Sequence, residues 1–466
     1  MVVGLVGGRA AYRLALYGAG LALLTLWGPA EFALYAGATG AVGWLFALTS
    51  SGPEKAALAL IPRAGGALLE RGIVWLAVTP FATVTLAYLA LLVGGVGEPM
   101  TRLVAAAGLS VGVGCCAVLV ALYRIRGRPR VDTLTYCGIA TGYAIAVGLA
   151  AGAGFGVDAV LDVLLGVVTV LIAGLVAGLV ARLDPARASR RSTMEALRAA
   201  AVLGVSEILG AASSSVLYAI LAVFGDPAET SRFYLLMIVA GAFAVGWSYL
   251  LRLVQPWLVG RLEQRGRGEG WRTVGRLSAW SAGVGGILTA ALVAVVRVRG
   301  DGWPQSEAAL LLEVALYAAT TGALLVAENI DAHGRRWSAA GAVAQFATVA
   351  GVGWWLVPVA GAAGGFAALC VGATVKAILL SGIASRVAAH ETTKHDRRRP
   401  DGPMPDREAQ DEPARGRETH DRDARDGQAR GRQTHDREAR DEQARGKEMH
   451  DQDARNRQTH GEEMSA

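Results

Sequence analysis

Cysteine, histidine and lysine are scarce in this chain, and each scarcity removes a class of chemistry. The four cysteines, Cys115, Cys116, Cys137 and Cys370, all lie within apolar stretches. Their spacing matches neither a zinc site nor a disulfide framework, so they read as small apolar packing residues. The seven histidines all fall outside the long apolar stretches. That removes imidazole acid–base chemistry from the greasy part of the chain. Lysine occurs only at Lys55, Lys376, Lys394 and Lys447, and arginine carries nearly all the positive charge. Together with abundant Ala, Gly and Val this is the mark of GC-rich codons, so a single small-xxx-small match carries little weight. No cofactor is expected.

What is present is apolar length. Twelve stretches are long enough to cross a hydrocarbon core as helices, which takes about 20 residues each. They are Ala10–Trp27, Phe32–Ser50, Ile73–Gly95, Leu103–Tyr123, Thr133–Ala153, Val157–Ala181, Ala199–Phe224, Phe233–Leu253, Val274–Val296, Ala308–Ala327, Ser338–Val357 and Ala360–Val387. They are apolar all round, as helices facing lipid and each other must be. The 60 glycines supply small surfaces that let such helices approach. The expected fold is all-α and polytopic, with the bilayer as its first partner. Arg9 and Arg13 stand before an apolar run that no small-residue cleavage site follows, so the first stretch is expected to be a retained helix.

Orientation follows from the bias of Lys and Arg among short loops. Alternate loops are strongly basic: Arg124, Arg126, Arg128 and Arg130; then Arg182, Arg187, Arg190, Arg191 and Arg198; then Arg261, Arg265, Arg267, Arg272 and Arg276. The intervening loops are poorer in basic residues, apart from Arg297 and Arg299 beside Asp301. Basic loops stay inside, which places both termini in the cytoplasm and the protein in the cytoplasmic membrane.

The basic loop from Arg182 to Arg198 divides the stretches six and six. Residues 1–190 and 191–389 are the expected lobes, and 390–466 a charged tail. Three short matches recur in order between the halves. Trp27-Gly28-Pro29-Ala30-Glu31 answers to Phe224-Gly225-Asp226-Pro227-Ala228-Glu229. Ala41-Val42-Gly43-Trp44 answers to Ala244-Val245-Gly246-Trp247, and Pro62 to Gly72 answers to Pro256 to Gly266. Six is even, so the repeat is parallel, about an axis along the membrane normal. Transporters built from repeats place substrate between them and rock the halves.

The stretch Leu26-Trp27-Gly28-Pro29-Ala30-Glu31-Phe32-Ala33-Leu34-Tyr35, with Leu58-Ala59-Leu60-Ile61-Pro62-Arg63 after it, resembles the start of the polysaccharide exporters. These belong to the multidrug/oligosaccharidyl-lipid/polysaccharide exporter superfamily. The resemblance rests on a Gly-Pro turn, an aromatic pair and a cytoplasmic amphipathic segment, and the helix count agrees with it over about 390 residues. It implies twelve helices in two lobes and a lipid-linked oligosaccharide or polysaccharide precursor as substrate. It also implies that the first and seventh helices border a central cavity. The tail is not part of that pattern, and several stretches are unusually poor in polar residues.

Ionisable groups within a span are costly and therefore functional candidates. The deepest are Arg13, Glu207 and Lys376, with Lys55 and Arg252 near the inner mouth. Cations there can replace water around a diphosphate. Each has a plain alternative. Arg13 can snorkel to the interface, and Glu207 can form a structural pair with Lys376. Asp162 and Glu313 lie within about two turns of the outer surface and read as interfacial. Tyr12, Tyr17, Tyr35, Trp44, Trp247 and Tyr249 can stack on sugars, or serve packing and belt roles. A drug/cation antiporter would need paired carboxylates, yet Glu207 and Glu313 are expected about 15 Å apart at 1.5 Å per residue.

After His390 apolar residues almost vanish. The tail repeats every 15 residues, marked by Asp406-Arg407-Glu408-Ala409, Asp421-Arg422-Asp423-Ala424, Asp436-Arg437-Glu438-Ala439 and Asp451-Gln452-Asp453-Ala454. Such a composition cannot bury a core. A solvated spacer, or an arm docking glycan-assembly proteins, is expected. Nearly balanced charge without aromatics argues against nucleic acid. The short outer loops argue against a membrane enzyme. A transporter of lipid-linked glycans is the leading reading; the antiporter and a non-transporting membrane scaffold are its rivals.

Overall fold

The computed structural model describes residues 2–61, 67–180, 190–244 and 332–396, with scattered positions between 247 and 317. The described residues are helical apart from short turns, with no strand among them. The helices are α1 (Val2–Ala41), α2 (Trp44–Leu60), α3 (Ala67–Val93), α4 (Glu98–Ile125), α5 (Arg130–Ala153), α6 (Val157–Val180) and α7 (Arg190–Phe224). They are followed by α8 (227–244) and α9 (Ala332–Asp396). Among the described residues, seven helical lengths are long and apolar enough to cross a membrane. Two of these, Gly7–Leu58 and Ser338–Leu380, run for 52 and 43 residues, twice or more what one crossing needs. Each bends at a glycine into two arms, each about the length that one crossing needs. The chain is therefore a multi-pass membrane protein.

The two bends have a stated cause. Gly28 takes φ 74° and Gly361 takes φ 55°, inside what are otherwise continuous helices. A side chain at such a φ meets its own backbone, so glycine is the residue that turns the chain there. Pro29 follows Gly28 at the start of the second arm, where its missing N–H costs nothing. The expected span Phe32–Ser50 is interrupted at Val42–Gly43, and its continuation, α2, runs on to Leu60. The amphipathic segment after Pro62 is partly the first turns of α3; residues 62–66 lie outside the described part. So do most of the expected spans Val274–Val296 and Ala308–Ala327, the end of Phe233–Leu253, loop residues 181–189, and the tail from 397 onward.

Burial explains the all-round apolar character. In α4 every residue from Val111 to Tyr123 is buried, which makes it the central post of the first six crossings. Outward positions are apolar too: Leu14, Val93, Val170 and Trp355 are largely exposed. In water that pattern would be a liability; in lipid it is the required surface. Buried side chains form two clusters. One draws on α1 to α6 and Ala196 of α7, the other on α7, α8, Leu310, Val314 and α9. Tyr234 packs against both.

The repeated Pro-Ala-Glu segments take matching places in these two sets. After Pro29, a Glu31 carboxylate oxygen stands 3.2 Å from where a Cβ on Gly156 would sit, at the α5–α6 turn. The Trp27 indole N–H donates to the Phe155 carbonyl at 3.1 Å in the same turn. After Pro227, Glu229 accepts the Ala362 backbone N–H at 2.9 Å, at the bend of α9. Glu229 thus fastens the start of its half to the last hairpin of that half, and Glu31 lies against the corresponding hairpin of the other half. The two segments also meet: the buried Ser231 hydroxyl donates to the Pro29 carbonyl at 2.8 Å.

Candidate functional site

At the end of the molecule rich in arginine, charges from four helices converge. Arg9 of α1 and Arg124 of α4 both reach the carboxylate of Asp132 of α5, at 3.1 and 3.2 Å. Arg124 also pairs with Glu54 of α2 at 2.6 Å, and Arg9 lies 3.8 Å from the same carboxylate. Asp132 is fully buried, so its charge depends on these partners. The Arg9 guanidinium lies over the Tyr136 ring, 5.2 Å from its centre. Nearby, Arg126 pairs with Glu70 of α3 at 2.8 Å. Arg124 and Arg126 served in the sequence only as markers of a basic loop. The structure gives them acidic partners inside the first helix set.

One ion pair at this end differs in kind. Lys55 Nζ of α2 lies 2.7 Å from Glu207 Oε1 of α7, so it joins the first helix set to the second. Both side chains are partly open to solvent, at 35% and 45% exposure, unlike Asp132. Beside it the backbones touch: a Cβ on Gly52 would collide with the Ala200 carbonyl, and one on Gly204 would collide with Gly52 itself. Two small residues are what allow α2 and α7 to lie this close. The sequence placed Lys55 near the inner mouth and Glu207 among the deepest charges, with Lys376 as its candidate partner; the structure brings Glu207 to Lys55.

Arg13 lies on the α1 face that turns toward α8. Residues 13, 17 and 20 share one helical face by their spacing. Tyr17 and Gly20 locate that face: the Tyr17 hydroxyl is 3.2 Å from a Cβ position on Gly241, and the Tyr234 ring 3.0 Å from one on Gly20. Arg13 is half-buried, with its guanidinium 5.6 Å from the centre of the Tyr12 ring. A seam of aromatic rings runs on from there. Tyr12 packs on Tyr136 and Tyr143, Phe32 and Tyr35 pack on Tyr234, and Tyr234 packs on Tyr218. Tyr12 and Tyr35 are buried within this seam. Trp247 is buried, and Tyr249 lies outside the described residues.

The remaining candidates are spread out. Lys376 is buried on the second arm of α9, its stem 3.5 Å from a Cβ position on Gly341 of the first arm. Arg252 lies outside the described residues. Asp162 accepts a hydrogen bond from the Tyr88 hydroxyl, tying α6 to α3. One turn away, Arg102 of α4 grips Asp158 of α6 through two hydrogen bonds of 2.7 and 2.8 Å. Glu313 is half-buried. Among the described residues no cluster of His, Cys, Asp and Glu is arranged to hold a metal ion.

No protein-family model and no curated protein matches this chain. Solved structures do. A multidrug resistance MATE family transporter of the MOP superfamily, in its inward-facing conformation, matches with TM-score 0.50 and 15% identity, over 84% of this chain and 96% of that one. Its outward-facing conformation matches with TM-score 0.50 and 15% identity, over 84% and 94%. The lipid II flippase MurJ, in an inward closed conformation, matches with TM-score 0.52 and 11% identity, over 79% and 86%. This chain has the MOP-superfamily fold. The match spans nearly the whole of each MOP structure, and the part of this chain it leaves over is about the length of the charged tail. At these identities the likeness is one of fold.

Proposed function

We propose that the protein is a transporter that flips a lipid-linked oligosaccharide or polysaccharide precursor across the cytoplasmic membrane by alternating access between two lobes. The observation that carries this is the Lys55–Glu207 pair, a solvent-accessible tie between the two helix sets beside a close glycine contact. An exposed ion pair contributes little net stability, so it can break and reform as the halves rock. The likeness to the MurJ lipid II flippase supports the fold and, with it, this substrate class. In this reading Arg13, Lys55, Lys376 and Arg252 stabilise the diphosphate during its passage, and Glu207 balances them when substrate is absent. Aromatic edges along α1 and α8 border the sugars. The tail is a solvated arm for glycan-assembly proteins.

The MATE likeness supports a drug/cation antiporter as a second reading, with Glu207 then carrying the coupling ion. The two separate in a deletion strain. Mass spectrometry of its lipids is expected to show accumulated polyprenyl-diphosphate oligosaccharide, with reduced surface polysaccharide. Unchanged lipid-linked glycans with lowered drug tolerance would favour the antiporter. No change in either would leave the scaffold.

A further inference from the structure

The cations at the arginine-rich end sort by the side on which their partners lie. Arg9, Arg124 and Arg126 pair with Asp132, Glu54 and Glu70, all within the first helix set. Lys55 pairs across to Glu207 of the second set. Two of the three internal acids are enclosed, Asp132 fully and Glu70 nearly so, and Glu54 is shared between Arg124 and Arg9. The crossing pair is open to water on both sides. An anion arriving from solvent therefore meets a lysine whose present partner is exchangeable.

We infer that Glu207 is the resting counter-ion of Lys55, and that the diphosphate of an arriving substrate displaces it, so that binding itself unties α2 from α7. This rests on the lipid-linked substrate class proposed above. A diphosphate brings more negative charge and more acceptor oxygens than one carboxylate. A compact ammonium takes either partner without a fixed fork geometry, as a guanidinium would not. Once Glu207 is released, the close approach of Gly52 to Ala200 and Gly204 remains at this end, and it is a contact of small surfaces with no charge. Glu207 is thus a positioning residue: it keeps the ammonium in place and the seam closed until an anion replaces it.

The test uses the full chain in phosphatidylcholine nanodiscs with farnesyl diphosphate as probe. Farnesol and inorganic pyrophosphate separate the contributions of tail and head. Spin labels at Leu58→Cys and Leu197→Cys, both exposed positions on α2 and α7, report the distance between these helices. Cys137, which is half-buried, is replaced by alanine, and the other three cysteines are buried. Farnesyl diphosphate is expected to lengthen the label distance in the parent protein, and farnesol to leave it unchanged. Glu207→Gln is expected to bind the probe about three-fold tighter, the scale of one exposed ion pair removed from competition, and to be separated before probe is added. Glu207→Asp should restore both parent values. Equal or weaker binding by Glu207→Gln, or no change in distance on binding, overturns the exchange. If Lys55→Gln abolishes binding while Glu207→Gln leaves it unchanged, the substrate reading stands and the exchange falls. If no form binds the probe, both fall.

Discussion

Asp132 shows what sequence distance hides. It lies 123 residues from Arg9, and the two meet only because α1 and α5 pack together. A basic run is visible along the chain, but the acids that neutralise it are not, since Glu54 and Asp132 sit within a turn or two of span ends and look like ordinary interfacial residues. That proximity to the basic end was the one available signal. The energetic consequence is large, because losing the buried carboxylate leaves the two arginines to share the charge of Glu54. Asp132→Asn is expected to destabilise the protein by about 3 kcal/mol, read as a clear fall in Tm in detergent. Lys55→Gln, removing a half-open pair, should cost under about 1 kcal/mol and leave Tm nearly unchanged. Equal losses for the two would contradict the distinction drawn between locked and exchangeable pairs.

The helices themselves were largely legible, because long apolar runs leave few alternatives. Their interruptions were not. The Gly-Pro link stood out in the sequence as a connection between two spans, yet the chain there bends at a single residue and stays helical on either side. The break at Val42–Gly43 had no sequence signature apart from its likeness to Val245–Gly246. Gly361 combines a positive φ with the Glu229 carboxylate packed against it, so Gly361→Ala should cost about 1 to 3 kcal/mol. Gly148 in α5 faces open space, and Gly148→Ala should be neutral or slightly stabilising. Parallel melting curves of the two variants check this. Gly52→Leu is expected to force α2 from α7 and lengthen the Leu58–Leu197 label distance without probe; an unchanged distance would show that the close approach is not what sets the seam.

At the scale of the whole molecule, an all-α polytopic fold was readable from hydropathy, and the MOP fold from a Gly-Pro link, an aromatic pair and an ordered set of repeats. Those repeats acquire a physical meaning in three dimensions: Glu229 fastens its own half, Glu31 lies at the matching turn of the other, and Ser231 joins the two linkers at Pro29. The meeting of Lys55 with Glu207 was not readable, because it depends on how the two halves close on one another. The tail has too few apolar residues to contribute to a core, so a chain ending at residue 396 should retain full transport. The central claim is that the protein moves a lipid-linked glycan between leaflets. Its most direct measurement is translocation of a fluorescent polyprenyl-diphosphate oligosaccharide in proteoliposomes, followed by quenching from outside. The account predicts transfer in the parent protein, and at least a ten-fold loss in Arg13→Ala and Lys55→Ala at equal reconstituted amounts. Transfer no faster than in protein-free vesicles, or unaffected by both substitutions, would contradict it.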